Sequence, residues 1–469
     1  MAFREVLHIT SQMLRVLSVL LLFPVLVALI YGETYHAWFF AGLAVALFIP
    51  SALAYHFLHH ERPRLRHALA AIAVTWLFFA LIAAIPYLAY GFSPVDSVFE
   101  ATSGWSGTGL SILNEQDYAP LPKALHFWRC FTQWAGGLGV VVMALLIYER
   151  PATAGVMFAA EGRSENFMLN LYSIGRAILA IYLVLSIIST ILFMLAGLPL
   201  FDAVLNMMST LSTGGFSPNP VGIGGYGQLA LLASIPVMLA GGISFVSYYA
   251  LISGRVRRFL SNPEIQFLFI LLSICIAIIA FDFYMNGPPA YLEGAFYAVS
   301  AVTGAGASGP ARVLSFPQLT LSILIMLMTF GACYGSTTGA LKLWRVILLY
   351  KITLREVRRN LLPKGAQLPL KVYNAFISPE SALATVSFVF VYFAFLLLGS
   401  TAFMVAGFPA LSSLFTVSSA QGNVGLAILD VPSLPWTLKL LLAFHMYIGR
   451  MEILPFFVLL QGLLKVKRV

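Results

Sequence analysis

Charged side chains are scarce: only 10% of the 469 residues are Asp, Glu, Lys or Arg, against 60% that are hydrophobic. An ordinary soluble domain carries about 25% charged residues, so the chain is excluded from that class. Cysteine is nearly absent. Cys130, Cys275 and Cys333 lie in apolar stretches at unrelated spacings, which leaves no disulfide framework and no zinc spacing. A Walker motif, a dinucleotide fingerprint and a nucleophile elbow are all missing. No acid, base and metal-binding groups converge within the apolar runs, so neither an enzyme nor a bound cofactor is expected. His56, His59 and His60 adjoin Arg62, Arg64 and Arg66 and read as a basic patch flanking a membrane rather than a metal site. The net charge of +9 is dispersed in short clusters, which argues against nucleic acid as a partner.

What is present is length without charge. Many runs exceed the ~18 apolar residues that mark a membrane span. In lipid the backbone must satisfy itself, and barrel strands are far shorter than these runs, so the expectation is an all-α polytopic membrane protein surrounded by membrane lipid. Ten spans are read at about 10–31, 37–58, 66–90, 126–148, 177–197, 228–251, 266–286, 317–350, 381–406 and 436–463. The first is interrupted by Arg15 and lacks a small-residue cleavage site, so it reads as a retained helix rather than a signal peptide. Arg4 and Arg15, the 62–66 cluster, Arg255/Arg257/Arg258, Arg355/Arg358/Arg359 with Lys364 and Lys371, and Lys465/Lys467/Arg468 all fall on one side. That side is assigned to the cytoplasm, with both termini on it; Lys123, Arg312 and Lys439 are left outside.

Four heptads between these runs share one pattern: 105–111, 211–217, 302–308 and 421–427. Aligned on Gly109, Gly215, Gly306 and Gly425, they place Ser103, Ser209, Ser300 and Ser419 six residues upstream. Asp96, Asp202, Glu293 and Ser412 stand thirteen residues upstream, each suited to a helix start. Cap, short helix and glycine turn, four times over, read as four re-entrant pore loops around one axis. The organisation is two leading helices (1–60) and pore units at 61–150, 151–260, 261–375 and 376–469, the third holding a broken intramembrane loop.

A filter that replaces a cation's hydration shell with carbonyls needs backbone angles that glycine adopts at low cost. The expected filter residues are Ser106, Gly107, Thr108 and Gly109; Ser212, Thr213, Gly214 and Gly215; Thr303, Gly304, Ala305 and Gly306; and Gly422, Asn423, Val424 and Gly425. Gly107, Gly214, Gly304 and Gly422 are expected to add backbone freedom, and Ser106, Thr108, Ser212, Thr213 and Thr303 to offer hydroxyl oxygens. None of the heptads holds an acid, so a carbonyl filter fits better than a carboxylate ring. Each short helix aims its partly negative end at the axis, which favours a cation there. Asp96, Asp202 and Glu293 read first as structural groups at the outer mouth, and Glu100 as a buried anchor.

The eighth run is broken by 331–342, where Gly335, Ser336, Thr337, Thr338 and Gly339 lead to Lys342. Beneath the third loop such a stretch reads as a gate, with small-residue helix packing as the alternative. Lys342 reads equally as facing the cavity or snorkelling to the inner surface. Arg450 lies near the middle of the last run, where a charge is a functional hypothesis by default. It reads as a barrier in the pore, or as half of a buried pair whose acid lies elsewhere than Glu452.

These residues resemble those of the Trk/Ktr/HKT superfamily of potassium transporters, and within it the bacterial TrkH branch. The likeness also covers the opening Met1-Ala2-Phe3-Arg4, Trp128-Arg129, Gln133-Trp134-Ala135-Gly136-Gly137 and Gly449-Arg450-Met451-Glu452-Ile453-Leu454, and the two leading helices match that branch. The resemblance implies potassium uptake across the bacterial cell inner membrane, with K+ held at the filter residues. It also implies a homodimer and a cytoplasmic nucleotide-binding subunit of the TrkA type. Gly109, Gly215, Gly306 and Gly425 match the family's filter glycines, Arg450 its pore arginine and 331–342 its intramembrane loop. Glycine at 109, where sodium-preferring relatives carry serine, points to potassium. The 331–342 stretch is less glycine-rich than is usual in the family, and the loop around 149–176 is short. A sodium-permeable or ion-coupled symporter on the same scaffold is the alternative.

Overall fold

The structure is a computed structural model that describes residues 2–58, 65–139, 171–286, 290–309, 313–363, 368–372, 375–451, 453, 456–457 and 459–461. It is all-α, apart from a two-stranded antiparallel hairpin, Lys371–Val372 with Ala375–Phe376, that the sequence did not announce.

The leading pair is α1 (Ala2–Leu20) with α2 (Leu22–Ile30), then α3 (Thr34–Phe57). Between them Glu33 reaches to the first unit, where its carboxylate accepts N–H bonds from Lys123 at 2.6 Å and Ala124 at 3.0 Å. Those amides open a helix and have no partner within it, so Glu33 both satisfies them and docks the pair.

Four units follow, each a helix, a short helix and a second helix. The first is α4 (Leu65–Ala83) and α5 (Ile85–Tyr90), α6 (Pro94–Ser106) and α7 (Lys123–Leu138). The second is α8 (Leu171–Leu195), α9 (Leu200–Leu211), α10 (Gln228–Gly242) and α11 (Phe245–Ile252). A brief α12 (Val256–Leu260) leads to α13 (Pro263–Asn286), α14 (Tyr291–Thr303), α15 (Gln318–Phe330) and α16 (Leu343–Asn360). The fourth is α17 (Pro379–Val405), α18 (Ala410–Gln421) and α19 (Trp436–Arg450). The short helices run 12 or 13 residues, below the ~20 needed to cross a bilayer, so each enters and stops. The second helix of each unit packs against the short helix of the next: α7 on α9, α10 on α14, α15 on α18, and α19 back on α6. The four units therefore close around one axis.

One expectation is corrected at the short helices. The caps are Ser93, Pro199, Ala290 and Pro409, so Asp96, Asp202, Glu293 and Ser412 each stand three residues inward. At α6 the Ser93 hydroxyl takes the capping role, accepting from the Asp96 N–H at 3.1 Å, and the acid lies over the positive end of the dipole. Among the described residues, six helices are long and apolar enough to cross a membrane, and α10 with α11 makes a seventh bent by 96°. The expected fourth, eighth and tenth spans begin as α7, α15 and α19, of 16, 13 and 15 residues; residues 140–148 and half of 452–463 lie outside the described residues.

The break in the eighth run is as read, between Phe330 and Leu343. The break in the sixth was not foreseen. Beside it, Gly241 has no side chain, which lets α10 press against the Leu211 carbonyl at the end of α9. The carbonyls freed there are met by the third unit: Cys333 N–H donates to Gly242 at 3.2 Å and the Thr337 hydroxyl to Gly241 at 3.1 Å. Irregular backbone at membrane depth survives because it is buried and paired.

A methyl group at Gly241 meets backbone that has nowhere to go, whereas one at Gly42 in α3 meets nothing within 4 Å. Gly241→Ala is expected to cost about 1–3 kcal/mol as overpacking. Gly42→Ala is expected to be neutral or to stabilise by up to ~1 kcal/mol. Thermal unfolding of the two variants in detergent checks the contrast.

Candidate functional site

The C-terminal ends of α6, α9, α14 and α18 converge, and each ends in the same cap. The residue before the aligned glycine donates its N–H to the carbonyl of the serine five residues back: Thr108 to Ser103 (2.9 Å), Gly214 to Ser209 (2.7 Å), Ala305 to Ser300 (3.0 Å) and Val424 to Ser419 (2.8 Å). Between them one residue turns left-handed: Gly107 (φ 68°), Thr213 (59°), Gly304 (70°) and Asn423 (52°). In loops two and four the strained position thus falls on Thr213 and Asn423 rather than on Gly214 and Gly422. A left-handed turn at such residues costs roughly 1–2 kcal/mol. Gly214 and Gly422 are small for another reason: a Cβ at the first would meet Gln133 at 2.5 Å, and one at the second the Met328 carbonyl at 2.6 Å.

The aligned glycines are all left-handed, with φ of 90°, 82°, 57° and 98° at Gly109, Gly215, Gly306 and Gly425. Each Cα abuts the carbonyl that precedes the glycine of the next loop. Gly109 faces the Gly214 carbonyl, Gly215 that of Ala305, Gly306 that of Val424, and Gly425 that of Thr108. Four equivalent carbonyls and four glycine Cα atoms therefore alternate in a closed ring. The hydroxyls are turned locally: Ser212 donates to Ser209 O at 3.1 Å, Thr303 to Val299 O at 2.7 Å, and Ser106 shares a 2.6 Å bond with Thr108. The oxygens brought together around the ring are backbone oxygens.

The aligned serines do not all act alike. Ser103 and Ser419 accept from the amides of Gly109 and Gly425, both at 3.0 Å, and Ser300 donates to Ala307 O at 3.1 Å. Ser209 turns back to Leu205 O, and loop two is held instead by Gln133 of α7. Its side-chain amide donates to Gly214 O at 2.7 Å and accepts from Phe216 N–H at 3.0 Å, bracketing Gly215. This role was missed in the sequence. Its one signal there is an uncharged amide standing in an apolar run.

Glu100 is a fully buried anchor. It accepts from Arg129 Nε at 2.9 Å, from the Ser111 hydroxyl and from Ile112 N–H at 3.0 Å. Arg129 continues to Ser111 and, at 3.4 Å, to the carbonyl of Ser217 in loop two, with its guanidinium 4.4 Å from the Phe216 ring centre. At the outer ends, Lys439 donates to Asp96 at 2.6 Å and ties the fourth unit to the first.

Residues 331–342 pass beneath loops two to four. The segment carries left-handed turns at Gly331, Gly335, Ala340 and Lys342, two of them not glycine. Lys342 is 5% exposed, with Nζ 5.3 Å from the Tyr334 ring centre, so it is buried rather than snorkelled. Arg450 closes α19 and donates to the carbonyls of Thr337 (2.7 Å) and Gly136, lying 5.6 Å from the Trp76 ring centre. It thereby bridges the segment to the first unit. Glu452, His59 and His60 lie outside the described residues. Among the described residues no three His, Cys, Asp or Glu side chains gather as a metal site.

The family model described as TrkH, cation transport protein, matches residues 35–465. An uncharacterized cation transporter of Methanocaldococcus jannaschii is 29% identical, the match covering 98% of this chain and 95% of that one. The Trk system potassium uptake protein TrkH of Halomonas elongata is 28% identical over 98% of both chains. The crystal structure of the potassium transporter TrkH from Vibrio parahaemolyticus superposes with a TM-score of 0.85 at 26% identity, over 98% of this chain and 99% of that one.

Removing one partner of a buried ion pair strands the other charge, at about 3–5 kcal/mol. Arg129→Met is therefore expected to lower the unfolding temperature in detergent sharply, and more than Lys439→Met, whose partner Asp96 keeps 25% of its side chain exposed. Differential scanning fluorimetry of both variants tests the ranking.

Proposed function

This chain belongs to the TrkH family of cation transport proteins, and we propose that it takes up potassium across the cytoplasmic membrane through a carbonyl-lined filter at its four loops. One observation carries the reading: four equivalent carbonyls, of Thr108, Gly214, Ala305 and Val424, ring a common axis against four left-handed glycines. Backbone oxygens without a carboxylate suit a large, weakly hydrated monovalent cation. Four helix ends aimed at the ring each add a partial negative charge of about half an electron. The named bacterial relatives are potassium uptake proteins, which supports the choice of ion.

In this reading the pore units are 61–150, 151–260, 261–375 and 376–469, and segment 331–342 is the gate. Gly335, Ser336, Thr337, Thr338, Gly339 and Lys342 form its body, and Arg450 is the latch that holds it through the Thr337 carbonyl. Left-handed Ala340 and Lys342 store strain of order 1–3 kcal/mol each, which a second arrangement would relieve. In this reading the nucleotide signal comes from a cytoplasmic partner of the TrkA type. The functional unit is a homodimer in the inner membrane, with both termini cytoplasmic.

The test is flux of potassium, rubidium and sodium into proteoliposomes, with and without a TrkA-type partner. Uptake favouring potassium and rubidium without a proton or sodium gradient supports a filtered, channel-like pathway. Equal sodium flux, or flux that needs such a gradient, moves the assignment to the sodium-permeable or coupled alternative. Gly109→Ser, whose side chain must displace the Gly214 carbonyl, is expected to reduce potassium-over-sodium discrimination about tenfold, ~1.4 kcal/mol. Arg450→Ala is expected to raise flux of the unstimulated protein by on the order of tenfold, a barrier ~1.4 kcal/mol lower. Unchanged flux in a folded variant removes the latch.

A further inference from the structure

Three consecutive residues of the intramembrane segment meet the same structural position in three successive loops. That position is the left-handed residue two before the aligned glycine. The Thr337 hydroxyl lies 3.0 Å from that of Thr213 in loop two. The Thr338 side chain comes within 3.8 Å of where a Cβ on Gly304 would sit, in loop three. Gly339 fits beneath loop four only because it lacks a side chain: a Cβ there would meet Asn423 Oδ1 at 2.6 Å and the Gly422 carbonyl at 2.7 Å. The Asn423 amide nitrogen meanwhile donates to Thr108 Oγ1 at 3.0 Å and so carries the contact on to loop one.

The hydroxyl pair has too few protons for its contacts. Thr213 Oγ1 lies 2.6 Å from the Ser212 carbonyl, Thr337 Oγ1 lies 3.1 Å from that of Gly241, and the two hydroxyls face each other. Each hydroxyl donates once, so two protons serve three contacts. In one arrangement Thr213 donates to Thr337 and the Ser212 carbonyl is left free; in the other Thr337 donates to Thr213, which keeps its bond to Ser212, while the Thr337 N–H still meets the Gly241 carbonyl at 3.4 Å. When the segment is absent, Thr213 has only Ser212 to donate to, and that carbonyl is occupied. Ser212 stands three residues before Gly215, inside the second filter heptad.

Resting on the reading of the four loops as a filter, we propose that segment 337–339 is the floor of that filter as well as an obstruction below it. Thr337 is a positioning residue for ion discrimination, acting through Thr213 on the Ser212 carbonyl. Gly339 does the same for loop four by seating Asn423. Selectivity therefore depends on where the segment sits, and a protein with the segment displaced discriminates less.

The test reads ion occupancy whether the pathway is open or shut: thermal stabilisation of the purified full chain titrated with potassium chloride or sodium chloride. The wild type is expected to be stabilised at lower potassium than sodium. Thr337→Val and Thr213→Val should each shrink that preference about threefold or more, and the double variant no further than either alone, as residues sharing one bond require. Thr337→Ser keeps the hydroxyl and should keep the preference. Thr213→Gly relieves the left-handed backbone, so it takes the place of Thr213→Val, alone and in the double variant, if the valine fails to fold, and it should show the same loss. A preference unchanged in Thr337→Val or Thr213→Gly, or additive effects in the double variant, overturns the floor while leaving the filter standing. A wild type that does not distinguish the two ions removes the filter, and the floor with it.

Discussion

The structure depends on a contact that no side chain is allowed to enter. Each of four glycine Cα atoms rests against the carbonyl of the next loop, and the fourth returns to the first. A single β-carbon anywhere in the ring would collide with backbone, which unlike a side chain cannot rotate away. The same four residues also need positive φ, so glycine is required twice over. Close approach and left-handed backbone together put four carbonyls at one level. Everything outside the ring serves to hold those carbonyls there.

The holding is not the same in all units, although the backbone cap is. Loops one and four hang their glycine amides on a serine hydroxyl, whereas loop two is clamped by Gln133 from the first unit and braced by Arg129. The pseudo-symmetry is thus a symmetry of backbone, with side chains free to specialise. Loops two and four carry Thr213 and Asn423 where the other two carry glycine, and both of these strained residues contact the intramembrane segment.

Breaking a helix inside a membrane exposes carbonyls that have no water to turn to. Here the break after Gly242 and the break after Phe330 answer each other, since the third unit's segment donates to the second unit's freed carbonyls. Arg450 fulfils the same need for Thr337 and Gly136, and its half-buried charge is met there by two backbone carbonyls. A cation at a helix C-terminus is also favoured by the dipole of α19.

Membrane residence, helical class and the fourfold repeat were all legible in the sequence, because hydrophobic length and glycine spacing are one-dimensional signals. The break at 331–342 was legible for the same reason, three glycines in an apolar run. Only the tertiary structure decided which residues carry the strain. The repeat pointed to Gly214 and Gly422, but the turn falls on Thr213 and Asn423, because the cap is counted back from the ring. It also decided that Asp96 sits inside its helix, that the chain turns sharply between α10 and α11, and that Gln133 holds a loop 81 residues away. Those outcomes rest on contacts between segments distant in the chain, and spacing along one strand of sequence carries no record of them.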